Sequence, residues 1–255
     1  MATGIPRRTL FRVFWRCLFL QAAWNRRGMQ NLGFAYAIDP ALRALYPEPE
    51  RRREALRRHL CFFNCHPYTA AAIVGGAIHH EERVARGEEP DRAPTDYKAT
   101  LQGPLAAVGD GFFWTALRPF LGAAAALGTV AVGWPAVVAA LVLYNALAVG
   151  LRARLFLAGY RGGDAVVEEV SRLALPRAAA RLRDAGAAAC GLAAAAVAAR
   201  AWGSAGGEGA ALALGTAVLG WLALGRGARP LPAAYAAAAA GAGVSLLLAL
   251  GHGGP

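Results

Sequence analysis

Apolar and polar side chains near the N-terminus recur with the period of an amphipathic helix. Large apolar residues occur at steps of three and four between positions 10 and 19, and arginines lie between them. This spacing places the apolar side chains on one face and the basic side chains on the other, which predicts a helix that lies in the membrane interface. A second basic amphipathic helix is predicted from Glu50 to Phe63. Pro40 and residues 46–49 interrupt the pattern between the two helices.

The centre of the chain is less polar and contains further interruptions. The apolar run from Ala70 to Ile78 is too short to cross a bilayer, which needs about 20 residues, and a soluble loop is predicted from Glu81 to about Thr95. Glycines and a proline then break the pattern at 101–111. Residues 120–150 carry no charge, and Gly133-Trp134-Pro135 lies at their middle. This range predicts either one tilted helix or two half-membrane helices that form a hairpin.

Alanine, glycine and leucine dominate the last part of the chain. Residues 161–183 are more polar and amphipathic, which is typical of a cytoplasmic connector, and the apolar stretches that follow are rich in small residues that allow close helix packing in lipid. The sequence therefore predicts an all-α, polytopic membrane protein. Its predicted regions are amphipathic interfacial helices at 1–100, a broken or hairpin membrane segment at 101–160, the connector at 161–183 and Ala/Gly-rich membrane helices at 184–255.

Composition and charge favour a membrane protein that faces an anionic leaflet. Hydrophobic residues make up 56% and charged residues 17% of the 255 residues, which excludes a disordered protein. The net charge of +11 comes from basic residues that are too thinly spread for a nucleic-acid interface. Arg7, Arg8, Arg12 and Arg16 precede any spanning segment. The positive-inside rule therefore predicts a cytoplasmic N-terminus, and we expect the chain in the inner (plasma) membrane.

Four short polar and aromatic segments stand out from the apolar background, at residues 20–34, 57–67, 98–119 and 159–163. Their characteristic residues are Gln21, Trp24-Asn25, Met29-Gln30 and Gly33-Phe34; then Arg58-His59-Leu60 and Phe62-Phe63-Asn64; then Lys98, Gly103-Pro104-Leu105-Ala106, Val108-Gly109-Asp110, Phe113-Trp114 and Arg118-Pro119; and finally Gly159-Tyr160 and Gly163. In this order, the segments resemble the enzyme IID component of the mannose/fructose/sorbose family of the bacterial sugar phosphotransferase system. The resemblance covers residues 8 to about 165.

This resemblance implies a function in sugar transport. Enzyme IID pairs with a second membrane subunit, enzyme IIC, to form the sugar channel, and we expect a higher oligomer of such pairs among membrane lipids. Soluble IIA/IIB phosphocarriers phosphorylate the hexose, so the chain is part of a phosphotransferase complex without being its phosphocarrier. No cofactor is implied, and the sequence has no glycine-rich phosphate-binding motif. The alternative is a regulatory or sensory membrane protein that derives from the family and no longer transports.

The motif segments contain the residue types that bind sugars. Trp24 offers an aromatic face, and Asn25, Gln30 and Asn64 offer amides in apolar surroundings, where an unpaired amide is costly. We expect these four residues to bind the substrate. The same side chains could instead cap helices or contact the partner subunit.

Asp110 is a lone carboxylate beside a long apolar stretch, which makes it a functional candidate in a membrane protein. It is expected either to contact the sugar or to form a structural ion pair, with Lys98 or Arg118 as its counter-ion. A metal site at residues 79–82, which read His-His-Glu-Glu, is not expected, because adjacent histidines project about 100° apart on a helix.

The first motif segment departs from the family pattern at one point. Where the family usually has Glu-Arg before Met-Gln, this chain has Arg27-Gly28 before Met29-Gln30. A carboxylate only accepts hydrogen bonds and a guanidinium only donates them, so the two groups select different hydroxyl patterns. We therefore expect a sugar specificity that differs from the ordinary mannose type.

Overall fold

The computed structural model describes residues 4–193, together with residues 196, 215 and 218. Most of the region 184–255 therefore lies outside the described residues, and its Ala/Gly-rich membrane helices stay a prediction. The described part of the chain is helical and contains no β-strand, only isolated bridges. The all-α prediction is confirmed for these residues.

The longest connections between the helices are residues 18–30 and 60–69. They are α1 (Arg7–Cys17), α2 (Asn31–Leu45), α3 (Pro49–His59), α4 (Ala70–Ala85), α5 (Ala93–Gly109), a π-helix (Asp110–Leu117), α6 (Arg118–Val132), α7 (Pro135–Gly162), a 3₁₀ turn (Gly163–Ala165) and α8 (Val166–Arg172). Residues 175–193 are also helical. Two helical stretches, Ala93–Val132 and Pro135–Ala193, are long and apolar enough to cross a membrane.

Helix α4 lies at the centre of the fold. It packs against α7, α5 and α2, and its residues from Ala70 to Ile78 are buried. Glycines permit the close approach of α4 and α7. A Cβ atom on Gly75 would lie 2.1 Å from the Phe156 carbonyl oxygen, and one on Gly159 would lie 2.1 Å from the Ala72 carbonyl oxygen. The short apolar run is therefore part of a helix that is buried in the protein core. It is apolar because of this burial and does not have to be long enough to cross a membrane.

Pro40 lies inside helix α2, whereas the sequence pattern predicted an interruption at this residue. Helix α2 passes through it, from Asn31 to Leu45. A proline lacks the N–H group that would bond to the carbonyl four residues earlier. That carbonyl belongs to Tyr36, and it accepts a hydrogen bond from the Arg16 side chain of α1 at 3.0 Å. A distant arginine thus replaces the donor that proline removes.

The predicted loop from Glu81 to Thr95 is helical at both ends and non-helical only at 86–92. Helix α4 continues to Ala85, and α5 begins at Ala93. Glu81 is fully buried, because its carboxylate is bonded by side chains from other helices. The expectation of a solvent-facing run is wrong for Glu81, whereas Arg86, Glu88, Asp91 and Arg92 are exposed.

Glycine and proline do not break the chain at 101–111 either. Helix α5 passes through Pro104, and the π-helix Asp110–Leu117 continues it directly into α6. The predicted break at Gly133-Trp134-Pro135 is confirmed, since α6 ends at Val132 and α7 begins at Pro135. Gly133 has a φ of 73°, which glycine adopts without strain. Helices α6 and α7 pack against each other as a hairpin.

Candidate functional site

The first two motif segments pair with each other through hydrogen bonds. The backbone groups of Asn25 and Met29 bond in both directions, at 3.0 and 2.9 Å, and the Gln30 N–H donates to the Phe63 carbonyl at 2.8 Å. The Gln30 side chain forms two hydrogen bonds with the backbone of Cys65. Its Nε2 donates to the Cys65 carbonyl at 2.8 Å, and its Oε1 accepts from the Cys65 N–H at 3.1 Å. Segments 35 positions apart therefore form one small structure.

Lys98 connects the third motif segment to this structure. The residue is only 1% exposed. Its Nζ donates to the His59 carbonyl at 3.1 Å and lies 3.4 Å from the Cys61 sulfur. The same ammonium group lies 4.0 Å from the centre of the Phe34 ring, which is a favourable position for a cation. Lys98 thus anchors α5 to the segment that follows α3.

Gln102 and Asp110 bring the rest of the third segment to the same place. Gln102 Oε1 accepts a hydrogen bond from the Asn64 N–H at 3.1 Å. Asp110 directly follows Gly109, where a Cβ atom would lie 2.5 Å from the His66 side chain, so the start of the π-helix lies beside the end of the segment 60–65. We call the combined face the motif surface, and define it as residues 24–30, residues 60–65, Gln102 and Asp110.

The fourth motif segment lies elsewhere and has a packing role. Gly159 contacts α4, as described above. The Tyr160 hydroxyl donates to Glu82 at 2.9 Å, and the same carboxylate oxygen accepts from the Ile5 N–H at 3.1 Å. This segment therefore joins the N-terminus, α4 and α7. Three of the four motif segments share the motif surface.

The amides of Asn25 and Gln30 are used inside the protein. Asn25 Oδ1 accepts from the N–H groups of Arg27 and Gly28 at 3.1 and 2.8 Å, and Asn25 Nδ2 donates to Asn31 Oδ1 at 3.0 Å. Both polar atoms of the Gln30 side chain are bonded as described above. These contacts match the structural alternative for the two residues, because they hold the loop and leave no amide atom of Gln30 without a partner.

Trp24, Asn64 and Asp110 remain open to a ligand or a partner. Trp24 is 52% exposed, Asn64 is exposed and Asp110 is half-buried. The predicted ion pair of Asp110 is absent from the described residues. The Lys98 ammonium group donates a hydrogen bond to the His59 carbonyl, and Arg118 is an exposed residue at the start of α6, after the end of the π-helix.

Large apolar side chains are exposed on and beside the motif surface. Phe62 is 52% exposed, Leu60 is 38% exposed and Leu32 is 46% exposed. Trp114, which contacts His66 next to this surface, is 45% exposed. Contiguous apolar side chains with a polar rim mark a surface that another molecule covers.

A buried charge cluster joins α3 to α4. Glu81 is 0% exposed and accepts hydrogen bonds from Arg58 at 2.7 and 2.8 Å and from the Tyr46 hydroxyl at 2.7 Å. His59 Nε2 lies 2.8 Å from the same carboxylate. Arg58 and His59 belong to the second motif segment, but their buried carboxylate partner was not expected from the sequence. The cluster fixes the helix from which the segment 60–65 extends.

The protonation states in this cluster follow from burial and hydrogen bonding. Burial alone would raise the pKa of Glu81, but hydrogen bonds from His59 and Arg58 lower it to about 2. Burial lowers the pKa of His59, although Glu81 opposes this effect. A neutral His59 donates through Nε2 and leaves Nδ1 as a buried acceptor without a partner in the described residues. The buried part of the cluster therefore contains one guanidinium and one carboxylate, and the exposed Asp91 carboxylate lies 3.6 Å from Arg58.

A groove adjoining this region combines aromatic, amide and basic side chains. Its volume is about 460 Å³, and its lining includes Gln21, Tyr68, Trp114, Asn145 and Arg152. Arg152 is 6% exposed, donates to the Pro67 carbonyl at 3.2 Å and lies 4.8 Å from the centre of the Tyr68 ring. Aromatic faces and amides are groups that bind sugars. Asn145 is the single amide in the uncharged range 120–150, and this isolation was the sequence signal that could have identified it.

His66 lies between the motif surface and this groove. Its ring stacks on Phe113 at 5.1 Å and contacts the Tyr68 and Trp114 rings edge-on at 5.0 and 4.9 Å. Burial, together with the positive charge of Arg152, lowers the pKa of His66 to about 4. The imidazole is therefore neutral near pH 7.

The stability of the protein should fall as the pH drops from about 6.5 to about 4. An unfolded histidine has a pKa of about 6.5 and binds a proton in this interval, whereas folded His66 stays neutral until about pH 4. The unfolded state thus binds more protons, and the stabilisation that is complete above pH 6.5 is lost toward pH 4. Thermal unfolding at pH 7 and pH 5 measures this difference. His66→Phe should reduce it, and an unchanged difference would contradict the role of His66.

The histidines near residue 80 diverge from one another. His79 Nδ1 lies 3.0 Å from the Tyr160 carbonyl, and His80 Nδ1 lies 2.8 Å from Glu89. Glu81 is held by the charge cluster, and Glu82 accepts from the Ile5 N–H. No group of three potential metal ligands comes together in the described part of the chain.

Known proteins resemble this chain in sequence and in fold. The model of the PTS system mannose/fructose/sorbose family IID component matches residues 4–195. The PTS system mannose-specific EIID component of Escherichia coli is 48% identical over 113 residues, which cover 44% of this chain and 40% of that protein. The sorbose-specific EIID component of Lacticaseibacillus casei is 33% identical over 172 residues, covering 67% and 61%. The mannose transporter ManYZ, solved in complex with a microcin, gives a TM-score of 0.61 at 33% identity, covering 75% of this chain and 70% of that chain.

These similarities define an all-α membrane protein of the kind found in sugar-transport systems. More specifically, the chain belongs to the IID component family of the mannose/fructose/sorbose phosphotransferase system. The matched region spans 40% of the length of the mannose-specific relative. The relatives named here are two EIID components of PTS systems and a mannose transporter.

Proposed function

We propose that the chain is the membrane IID subunit of a mannose-type phosphotransferase permease. Together with a IIC subunit, it binds a hexose and moves it across the membrane, and soluble IIA/IIB phosphocarriers phosphorylate the sugar on the cytoplasmic side. The observation that carries this proposal is the convergence of three distant motif segments on the motif surface. The chain contributes binding and translocation, and it does not carry the phosphoryl group.

In this proposal the motif surface faces IIC. Phe62 and Leu60 expose large apolar areas there, and burial of such a side chain is worth about 1.5–3 kcal/mol. A partner that covers the two side chains gains this free energy, and partner groups can pair with the free polar atoms around them. Aromatic anchors with a polar rim are the usual composition of a stable interface.

The sugar path is proposed to run along the exposed polar groups of this face. Trp24, Asn64 and Asp110 contact the hexose, with Trp24 against the ring and the other two side chains bonded to hydroxyls. Asn25 and Gln30 position the loop that carries Trp24. This division follows from the hydrogen bonds that already occupy the Asn25 and Gln30 amides.

Asp110→Asn should weaken hexose binding in the complex with IIC by about 1–3 kcal/mol, which is roughly a 5- to 150-fold rise in Kd. The amide can accept only through one oxygen, so one sugar hydroxyl is left without its acceptor. Asp96→Asn is the matched control, because Asp96 is exposed at the start of the same helix and makes only a 3.6 Å ion pair with Arg92. The effect is measured in both purified complexes with the labelled hexose that the wild-type complex prefers among mannose, fructose and sorbose. Equal affinities in the two variants would remove Asp110 from the sugar path.

Arg27→Glu should move the specificity toward ordinary hexoses such as mannose. The Arg27 side chain is exposed on the motif surface and forms no ion pair with another described residue. Replacement by glutamate exchanges a donor for an acceptor, which is the group that the family pattern places here. Competition between mannose, fructose and an amino sugar should be compared in the two proteins, each with its IIC subunit. The same order of preference in both would show that Arg27 lies outside the sugar site.

The chain is proposed to cross the membrane several times with a cytoplasmic N-terminus. The arginines of α1 support this orientation, since they precede both helical stretches that are long enough to span. IIC–IID pairs are further proposed to assemble into a higher oligomer.

A further inference from the structure

Helix α1 and the end of α7 enclose an open apolar groove that the sugar-transport proposal does not use. Its volume is about 590 Å³, within the range of small-molecule sites. The walls are formed by Leu10, Phe11 and Phe14 of α1 and by Ala153, Phe156 and Leu157 of α7. Phe14 and Phe156 contact each other at the base, with ring centres 5.8 Å apart. We call this feature the α1–α7 groove.

Two arginines lie at the rim of the α1–α7 groove. Arg7 is the first residue of α1, and Arg161 lies in the last turn of α7. Both side chains are exposed, and neither forms an ion pair with a described carboxylate. The nearby carboxylate of Glu82 is already bonded to the Ile5 N–H and the Tyr160 hydroxyl. The rim therefore presents two guanidinium groups that are available to an anion.

The apolar side chains around the groove are those of a helix at a membrane surface. Phe11 is 65% exposed and Trp15 is 54% exposed, while Val13 and Cys17 of the same helix are buried. Helix α1 therefore has one face against the protein and a second apolar face that is open. Aromatic side chains of this kind lie at the level of the lipid headgroups, and adjacent arginines extend toward the phosphates.

We propose that the α1–α7 groove binds one anionic phospholipid. Its phosphate lies between Arg7 and Arg161, each of which can donate two parallel hydrogen bonds to phosphate oxygens. One acyl chain covers Phe11 and Leu157. The combination of a cationic rim with an apolar wall identifies the occupant. A zwitterionic lipid would add a cation beside two guanidinium groups, and a free phosphate would leave the apolar wall exposed. The inference does not depend on sugar transport.

Native mass spectrometry of the full chain in detergent, with its IIC subunit where the two co-purify, tests this proposal with phosphatidylglycerol and phosphatidylcholine as probes. The wild type should retain one phosphatidylglycerol molecule at a concentration at which phosphatidylcholine is lost. In the double variant Arg7→Gln/Arg161→Gln, the Kd for phosphatidylglycerol should rise by at least about 10-fold, because both charge-assisted contacts are gone.

Arg8→Gln/Arg12→Gln is the matched control, since it removes two exposed arginines of α1 that do not line the groove. This variant should bind phosphatidylglycerol as the wild type does. Leu157→Trp fills the groove without changing charge and should also displace the lipid. Equal loss in the two arginine variants would show a general attraction to charge, and equal retention of the two lipids by the wild type would exclude an anion-selective site. Either result would overturn the proposal.

Discussion

Glu81→Ala is expected to lower the free energy of unfolding by about 3–5 kcal/mol, which is a large fraction of the roughly 5–15 kcal/mol that stabilises a typical folded protein. The substitution leaves the Arg58 guanidinium, whose side chain is 16% exposed, with only the exposed Asp91 carboxylate at 3.6 Å, and it also removes the partner of Tyr46 and His59. A largely buried charge that loses its main partner costs more than the loss of one exposed ion pair. The fraction of monodisperse protein after detergent extraction, and its thermal unfolding midpoint, measure the effect.

Two further variants separate the buried cluster from general charge effects. Glu50→Ala removes an exposed ion pair with Arg53 and should change stability by less than about 1 kcal/mol. Replacement of both Arg58 and Glu81 by methionine should recover part of the loss, because no buried charge is left unpaired. The account of the cluster would be wrong if Glu81→Ala were no more damaging than Glu50→Ala.

Gly159→Leu is expected to lower stability by at least about 3 kcal/mol, because α4 and α7 cannot keep their present separation. The first side-chain atom alone would lie 2.1 Å from the Ala72 carbonyl oxygen and 2.9 Å from the Gly76 nitrogen. Backbone atoms cannot turn aside as a flexible side chain can, so the two helices must move apart and expose the core around α4.

Gly150→Leu provides the control on the same helix, since a Cβ atom at Gly150 meets nothing within 4 Å. Both substitutions add the same side chain to α7, so any difference between them reports the contact with α4. Thermal unfolding of the two variants should differ strongly, with Gly150→Leu close to the wild type. Similar midpoints would show that α4 and α7 are not held by the glycine contact.

Local sequence pattern predicted the helices correctly where their surroundings are lipid or solvent, and failed where tertiary contacts decide. The amphipathic α1 and the turn at Gly133 could be predicted because periodicity and a glycine beside a proline act locally. The helix through Pro40 could not, since its missing donor is replaced by Arg16 from another helix. The helical residues after Ile78 were missed for the same reason, because burial of Glu81 depends on Tyr46, which follows α2, and on Arg58 and His59 of α3.

The candidate site shows the same limit at the level of single side chains. The motif segments were identified from the order of their residues, but the sequence contains no information on which amide atoms are already bonded. Gln30 was predicted to be a sugar ligand because it is polar in apolar surroundings. In the structure, both polar atoms of its side chain form hydrogen bonds with the backbone of Cys65. Arg152 and Asn145 escaped notice because they lie outside the motif segments, although they line the groove with Gln21 and Trp114.

The most direct test of the central claim is the uptake of labelled sugars by cells that express the chain with a IIC subunit and IIA/IIB. Mannose, fructose and sorbose should be compared in cells that lack their own permeases for these sugars. The account predicts uptake of at least one sugar when both membrane subunits are present, and none when either the IID chain or IIC is omitted. A stable IIC complex that takes up none of the three sugars, or uptake that persists without the IID chain, would contradict it.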